Sequence, residues 1–148
     1  MESSITILDG VQITPLKKIH HEKGDVYHAL KCTDESFSAF GEAYFTTINE
    51  NEVKGWKQHT QMIMNLFVPA GKVGFYFYNP MISKSAFVEI GPSFYARVTV
   101  QPLIWMAFKG RSAYLNLVLN IASTIHDPTE SNNVDITTFA LDESVKIT

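Results

Sequence analysis

Apolar and polar positions in this chain cluster into short runs and do not recur at helical spacing. YFTTI (44–48), MIMNLFV (62–68), KVGFYFYN (72–79), AFVEI (86–90), YARVTVQ (95–101), IWMAF (104–108) and YLNLVLNIAS (114–123) are rich in aromatic and β-branched residues. Such residues suit a pleated, half-buried surface, so each run predicts a strand. Turn-forming stretches separate them: INENE (48–52), PAG (69–71), NPMISKS (79–85), GPS (91–93), KGRSA (109–113) and DPTESNN (127–133). Nowhere does an apolar 3.6-residue period hold for three turns. The pattern predicts an all-β sandwich or barrel. DESFSAFGEAY (34–44) has the composition of a helical turn, and the residues after Asn133 read as irregular chain or an edge strand.

One predicted strand breaks the apolar rule. VKGWKQHTQ (53–61) sets Lys54, Trp56, Lys57 and His59 between two apolar runs. Side chains alternate across a strand, so Val53, Gly55, Lys57 and His59 share one face and Lys54, Trp56 and Gln58 the other. A second polar row, Tyr95, Arg97, Thr99 and Gln101, lies opposite Ala96, Val98 and Val100. Burying such groups is costly unless they line a wet pocket. Two arrangements fit: the rows line a barrel mouth that takes a polar ligand, or they face water across an antiparallel sheet.

Composition narrows the classes. At 148 residues the chain predicts one domain over 1–148 with its core in about 10–130. A hydrophobic fraction of 45% and a charged fraction of 18% are those of an ordinary globular protein. A formal net charge of −3 argues against nucleic acid as a partner. No apolar run approaches the ~20 residues of a membrane span, and MESSITILDG has no leader character, so a cytoplasmic setting is expected. The lone Cys32 excludes an internal disulfide and reads as an inert small residue.

KGWKQH, then NLFVPAGKVGFYFYN, VTVQPLIWMAFKG and NIASTIHDPTE, in that order and spacing, resemble the dTDP-4-dehydrorhamnose 3,5-epimerase family and related nucleotide-sugar cupins, ketoisomerases among them. The resemblance covers roughly residues 10–130. It implies a cupin-type double-sheet jelly roll with a ligand in its mouth, a dTDP-linked 4-keto-6-deoxy sugar as substrate, a homodimer formed through a sheet, and a place in bacterial surface polysaccharide or lipopolysaccharide synthesis. No cofactor is implied. Metal-holding cupins use H-x-H, a following Glu and a later His; here Lys57, His59, Met64 and Met106 stand at those positions, which leaves one imidazole and no expected metal.

Moving the stereochemistry or the keto group of such a sugar requires a base at a carbon beside the carbonyl and a group that holds the enolate oxygen. The family's R-G-x-H base motif falls on Lys54, Gly55 and Lys57, so its base His is replaced by Lys57. His59, two positions along the same face, is the expected base, with Lys57 holding the oxyanion. Lys57 itself is the alternative base, a role that asks for deep burial. The family's acid Tyr falls at or next to His126, either a proton donor or a plain turn residue before Asp127-Pro128. Lys23 in EKGD matches an Arg that contacts the diphosphate, and Lys72 and Arg97 are further basic candidates, the alternative for each being a solvated surface charge. Trp56 and Trp105 are candidates to stack on a base or sugar, the alternative being core packing. His20, His21 and His28 match no catalytic position. The competing readings are thus an epimerase or isomerase, a non-catalytic nucleotide-sugar-binding cupin, and a structural subunit of a polysaccharide pathway.

Overall fold

The fold is known from a computed structural model that describes residues 3–144 and the backbone of 146–147; the ends of the expected 1–148 domain lie outside the described residues. The elements are β1 (Ile5–Leu8), β2 (Val11–Pro15), β3 (Lys18–Ile19), β4 (Val26–Tyr27), β5 (Glu42–Thr47), β6 (Val53–His59) and β7 (Met64–Ala70). They continue with β8 (Val73–Asn79), β9 (Lys84–Ile90), β10 (Ala96–Val100), β11 (Trp105–Gly110), β12 (Leu117–Ala122), β13 (Ser131–Asn133) and β14 (Lys146–Ile147). A short 3-10 turn, Pro128–Glu130, precedes β13, and no described helix is long and apolar enough to cross a membrane.

Two sheets face each other in the jelly-roll manner. One runs β1-β2-β10-β7-β12-β5 and the other β13-β6-β11-β8-β9-β14, while β3 and β4 form a separate hairpin. Alternation explains the packing between them. Val11 and Ile13 of β2, Ala96, Val98 and Val100 of β10, and Leu66 and Val68 of β7 meet Val73, Phe75 and Phe77 of β8 and Val88 and Ile90 of β9 in one core. The outer face of the second sheet is apolar too. There Trp56, Tyr76, Phe87, Trp105 and Ala107 form a second cluster, covered by Val134, Ile136 and Phe139 from the C-terminal segment. This double burial is why FYFY in β8 reads as a continuous apolar run.

Three expectations need correction. The row of Arg97 and Thr99 points away from the core, and it does not face bulk water either: both side chains are buried. Arg97 donates to the Ala29 carbonyl at 2.8 Å, and Thr99 donates to Asn65, whose amide donates to the Ser36 carbonyl. The loop that includes Ala29 and Ser36 therefore takes up polar groups of this outer face, and Arg97 lines a cleft of about 320 Å³ with residues 14–17 and 28–31, apart from the core between the sheets. That same loop is built of turns over 32–37 with no helical turn in 34–44. Finally, β6 is not regular. Phe108 pairs with Lys54 while Met106 pairs with Lys57, so β6 carries one extra residue, a β-bulge. Gly55 sits in it with φ of +136°. The bulge reverses the side-chain parity: Val53 packs against the outer aromatic cluster, and Lys54 joins Lys57 and His59 on the inner face.

Candidate active site

The inner faces part at one end of the sandwich, between β5, β12 and β7 of the first sheet and β13, β6 and β11 of the second. A cavity of about 440 Å³ opens there, within the size range of small-molecule sites. Its deep wall is apolar, from Met64, Leu66, Met106, Phe108 and Val118, and its polar groups are Tyr44, Lys54, Lys57, His59, Asn120 and His126.

His59 ends β6 and is buried, 6% exposed. Its Nδ1 lies 2.7 Å from Oε1 of Glu130, itself 8% exposed. The other carboxylate oxygen, Oε2, accepts the backbone N–H groups of Gln61 and Met62, each at 2.9 Å. Burial works against ionisation of Glu130, yet the His59 ring and the two N–H groups outweigh it and hold the carboxyl at about 2. An ionised carboxylate only accepts, so His59 donates from Nδ1 and keeps its lone pair on Nε2. The pair is a base held in one tautomer by a buried anion.

Around it the charges are positive. Lys57, half-buried, has no ion-pair partner among the described residues. Lys54 donates from Nζ to the Thr47 carbonyl at 2.7 Å. Across the cavity, Asn120 Nδ2 donates to the Tyr44 hydroxyl at 3.1 Å, which leaves the phenolic proton available to a ligand. Asn120 Oδ1 is buried with no hydrogen-bond partner among the described residues. His126 reaches the exposed rim of the cavity, anchored through its backbone N–H to Glu42 at 2.7 Å.

The structure thus brings together Lys54, Lys57, His59 and His126. It does not bring the other residues singled out by the sequence pattern to this cavity. Trp56, 1% exposed, lies on the outer face and donates to the Ile136 carbonyl, with Trp105 beside it in the same cluster. Lys72 pairs with Glu89 at 3.4 Å, Arg97 is buried beneath the 28–37 loop, and Lys23 is exposed on the chain between β3 and β4. Sequence reasoning missed Glu130, Tyr44 and Asn120. Lys57, His59, Met64 and Met106 do line one cavity, but as donors they offer a single imidazole already committed through Nδ1, a set that does not fit a divalent metal.

A jelly-roll cupin with a His–carboxylate pair and cationic groups in its mouth is the class this geometry defines. No family model matches the chain, and no curated protein does. Among solved structures it is similar to a dTDP sugar isomerase from Desulfovibrio desulfuricans G20, with 30% identity, a TM-score of 0.84, and 88% of this chain and 87% of that one covered. The chain belongs to the nucleotide-sugar cupin family of dTDP-sugar isomerases and 3,5-epimerases. Its fold is shared with a sugar 3,4-ketoisomerase from Thermoanaerobacterium thermosaccharolyticum solved in complex with TDP (19% identity, TM-score 0.73, coverage 84% and 88%). It is also shared with the dTDP-4-dehydrorhamnose 3,5-epimerase from Sulfolobus tokodaii (12% identity, TM-score 0.83, coverage 99% and 89%).

Proposed function

We propose that this chain is a metal-independent isomerase or epimerase of a dTDP-linked 4-keto-6-deoxy sugar, working as a cytoplasmic homodimer in surface polysaccharide or lipopolysaccharide synthesis. The observation that carries the reading is the buried His59–Glu130 pair opening onto a cavity of sugar size. Similarity to a dTDP sugar isomerase over most of both chains supports the substrate class.

The chemistry follows from the groups present. His59 Nε2 takes the proton from the carbon beside the carbonyl, and the C–H electron pair becomes the enolate double bond as charge moves onto oxygen. Glu130 stabilises the imidazolium that results. Lys57 holds the developing oxyanion, and Lys54 beside it supports the substrate's negative groups. Tyr44 donates its phenolic proton from the opposite wall. When the proton from His59 goes to the former carbonyl carbon, while the neighbouring hydroxyl proton passes to the old carbonyl oxygen and its own C–O becomes the new carbonyl, the keto group has moved. When Tyr44 delivers its proton to the opposite face of the deprotonated carbon and the carbonyl re-forms, the centre is inverted. The apolar wall of Met64, Leu66 and Met106 suits a C6 methyl group. Support for the dimer comes from β5, an edge strand whose Phe45 is 65% exposed.

The test is exchange of solvent deuterium into dTDP-4-keto-6-deoxyglucose followed by NMR, which also reads the carbon that changes. His59→Asn is expected to abolish exchange with dTDP binding intact. Lys57→Met is expected to lower turnover on the order of 10²–10³-fold, as when an oxyanion donor is removed. Wild-type exchange in His59→Asn refutes the assignment.

A further inference from the structure

The catalytic pair is drawn from segments 71 residues apart, so something must hold the second segment in place. Glu130 ends the 3-10 turn that leads into β13, a strand of only three residues at the edge of its sheet, which pairs with β6 as Ser131 to His59, Asn132 to Gln58 and Asn133 to Lys57. A strand this short is marginal by itself. The chain beyond it does not leave. It crosses the outer face of the sheet as a strap: Val134 N–H donates to the Trp56 carbonyl at 3.2 Å, and Trp56 Nε1 donates to the Ile136 carbonyl at 3.1 Å.

Phe139 then enters a cage of aromatic rings. It stacks on Tyr78 with centroids 4.3 Å apart, meets Trp56 edge-on at 5.4 Å, and lies 5.7 Å from Trp105. Beyond it Glu143 accepts from Tyr76 and pairs with Arg111. Trp56 therefore links the two faces of β6. Its ring receives the strap outside, while its backbone joins the bulge that turns Lys54 inward to Lys57, the neighbour that faces the cavity.

We propose that Phe139 and Trp56 are positioning residues: anchoring of the 134–144 strap on the outer face holds Glu130 against His59 and Lys57 in line on the inner face. Aromatic residues that suggested substrate stacking act instead from behind the site. The proposal rests on the reading of His59 as base, and it makes a prediction about His59 that needs no turnover. A Nδ1–H donated to a buried carboxylate gives a downfield proton resonance shielded from solvent exchange.

The experiment compares wild type with Phe139→Ala, Phe139→Asp and the large apolar Phe139→Leu. Three readings are taken: hydrogen exchange of residues 134–144 by mass spectrometry, the His59 Nδ1–H resonance, and kcat and KM on dTDP-4-keto-6-deoxyglucose. Charge in the ring cage is expected to release the strap, broaden or remove the resonance, and lower kcat roughly tenfold or more while KM changes less than about twofold, since small misplacements of reacting groups act on the chemical step. Leu is expected to restore all three. Where the Asp variant does not fold, judged by near-UV circular dichroism, the Ala variant takes its place. A released strap with the resonance and kcat of wild type overturns the proposal, and so does a strap that stays protected in Phe139→Ala. Absence of turnover in wild type refutes the substrate reading alone, because the resonance still decides this one.

Discussion

Glu130 decides what His59 can do. Its carboxylate, held at about 2 against the cost of burial by the His59 ring and two backbone N–H groups, stays ionised at any working pH and keeps Nδ1 as the donor. Glu130→Gln presents an amide that can turn its NH₂ toward the ring, favouring the tautomer with no lone pair on the cavity side. Turnover is expected to fall on the order of 10²-fold or more, with dTDP binding retained, as measured by isothermal titration. The same residue sets a pH dependence of stability. A carboxyl lowered in the folded state stabilises the fold above its unfolded value and loses that contribution as pH falls through the folded one. The stability of wild type over Glu130→Gln, of order ~3 kcal/mol from the shift, is therefore expected to be full at pH 6 and to shrink between pH 4.5 and 2 in urea titrations. An equal gap at pH 6 and pH 2.5 contradicts this origin. None of it was visible in DPTE, which reads as a turn. Asp127 does cap that turn by accepting from Thr129, and the carboxylate reaches His59 only through the fold. Asn120 left more of a trace, as an amide inside the apolar run LVLNIA on a core strand.

Strand β6 shows where pattern reading works and where it stops. The run 53–59 was legible as a strand, and period 2 placed Lys57 with His59 on one face, as they are. The same period misplaced Lys54 and Val53, because alternation counts residues and a bulge adds one. Gly55 is the physical sign of it. A Cβ there would lie 2.6 Å from Ala107 Cβ, 2.7 Å from Ala107 Cα and 2.9 Å from the Met106 carbonyl oxygen, at a φ that side chains rarely adopt. Gly55→Ala is expected to destabilise the fold by about 1–3 kcal/mol in chemical denaturation. Adding Ala107→Gly is expected not to rescue it, since the backbone contacts remain; wild-type stability in either variant would mean the bulge relaxes freely. The strands 62–68, 72–79 and 104–108 were legible for the opposite reason: buried on both faces or in the core, they tolerate few polar residues. β1 to β4 were not, because they are short, and β3 with the Lys17, His20 and His21 that flank it lacks any sustained alternation.

The two sheets cover their outer faces differently, and the difference bears on assembly. The second sheet is closed by its own C-terminal strap, and the β2-β10-β7 part of the first by the 28–37 loop. The β12-β5 part has no such cover among the described residues. Register places Phe45 beside Leu119, Ala43 beside Ile121 and Thr47 beside Leu117, an apolar row on the outer face, where Phe45 remains 65% exposed. β5 is also an edge among the described strands, and apart from the Thr47 carbonyl, which accepts from Lys54, its outward backbone groups invite pairing with another strand. A second copy meeting this surface about a twofold axis would bury the row and satisfy the edge together. In such an interface Phe45 is lost twice by one substitution. Burying a phenylalanine side chain contributes about 1.5–3 kcal/mol, so placing a charge there in both subunits costs a dimer roughly 3–6 kcal/mol. Sedimentation is expected to give twice the 16.7 kDa chain mass for wild type at micromolar concentration and the single mass for Phe45→Lys. Because Phe45 points away from Tyr44 and Thr46, which line the cavity, the His59 Nδ1–H resonance is expected to survive in the monomeric variant. A wild type that sediments as a monomer, or a Phe45→Lys variant that stays dimeric, places the interface elsewhere or removes it.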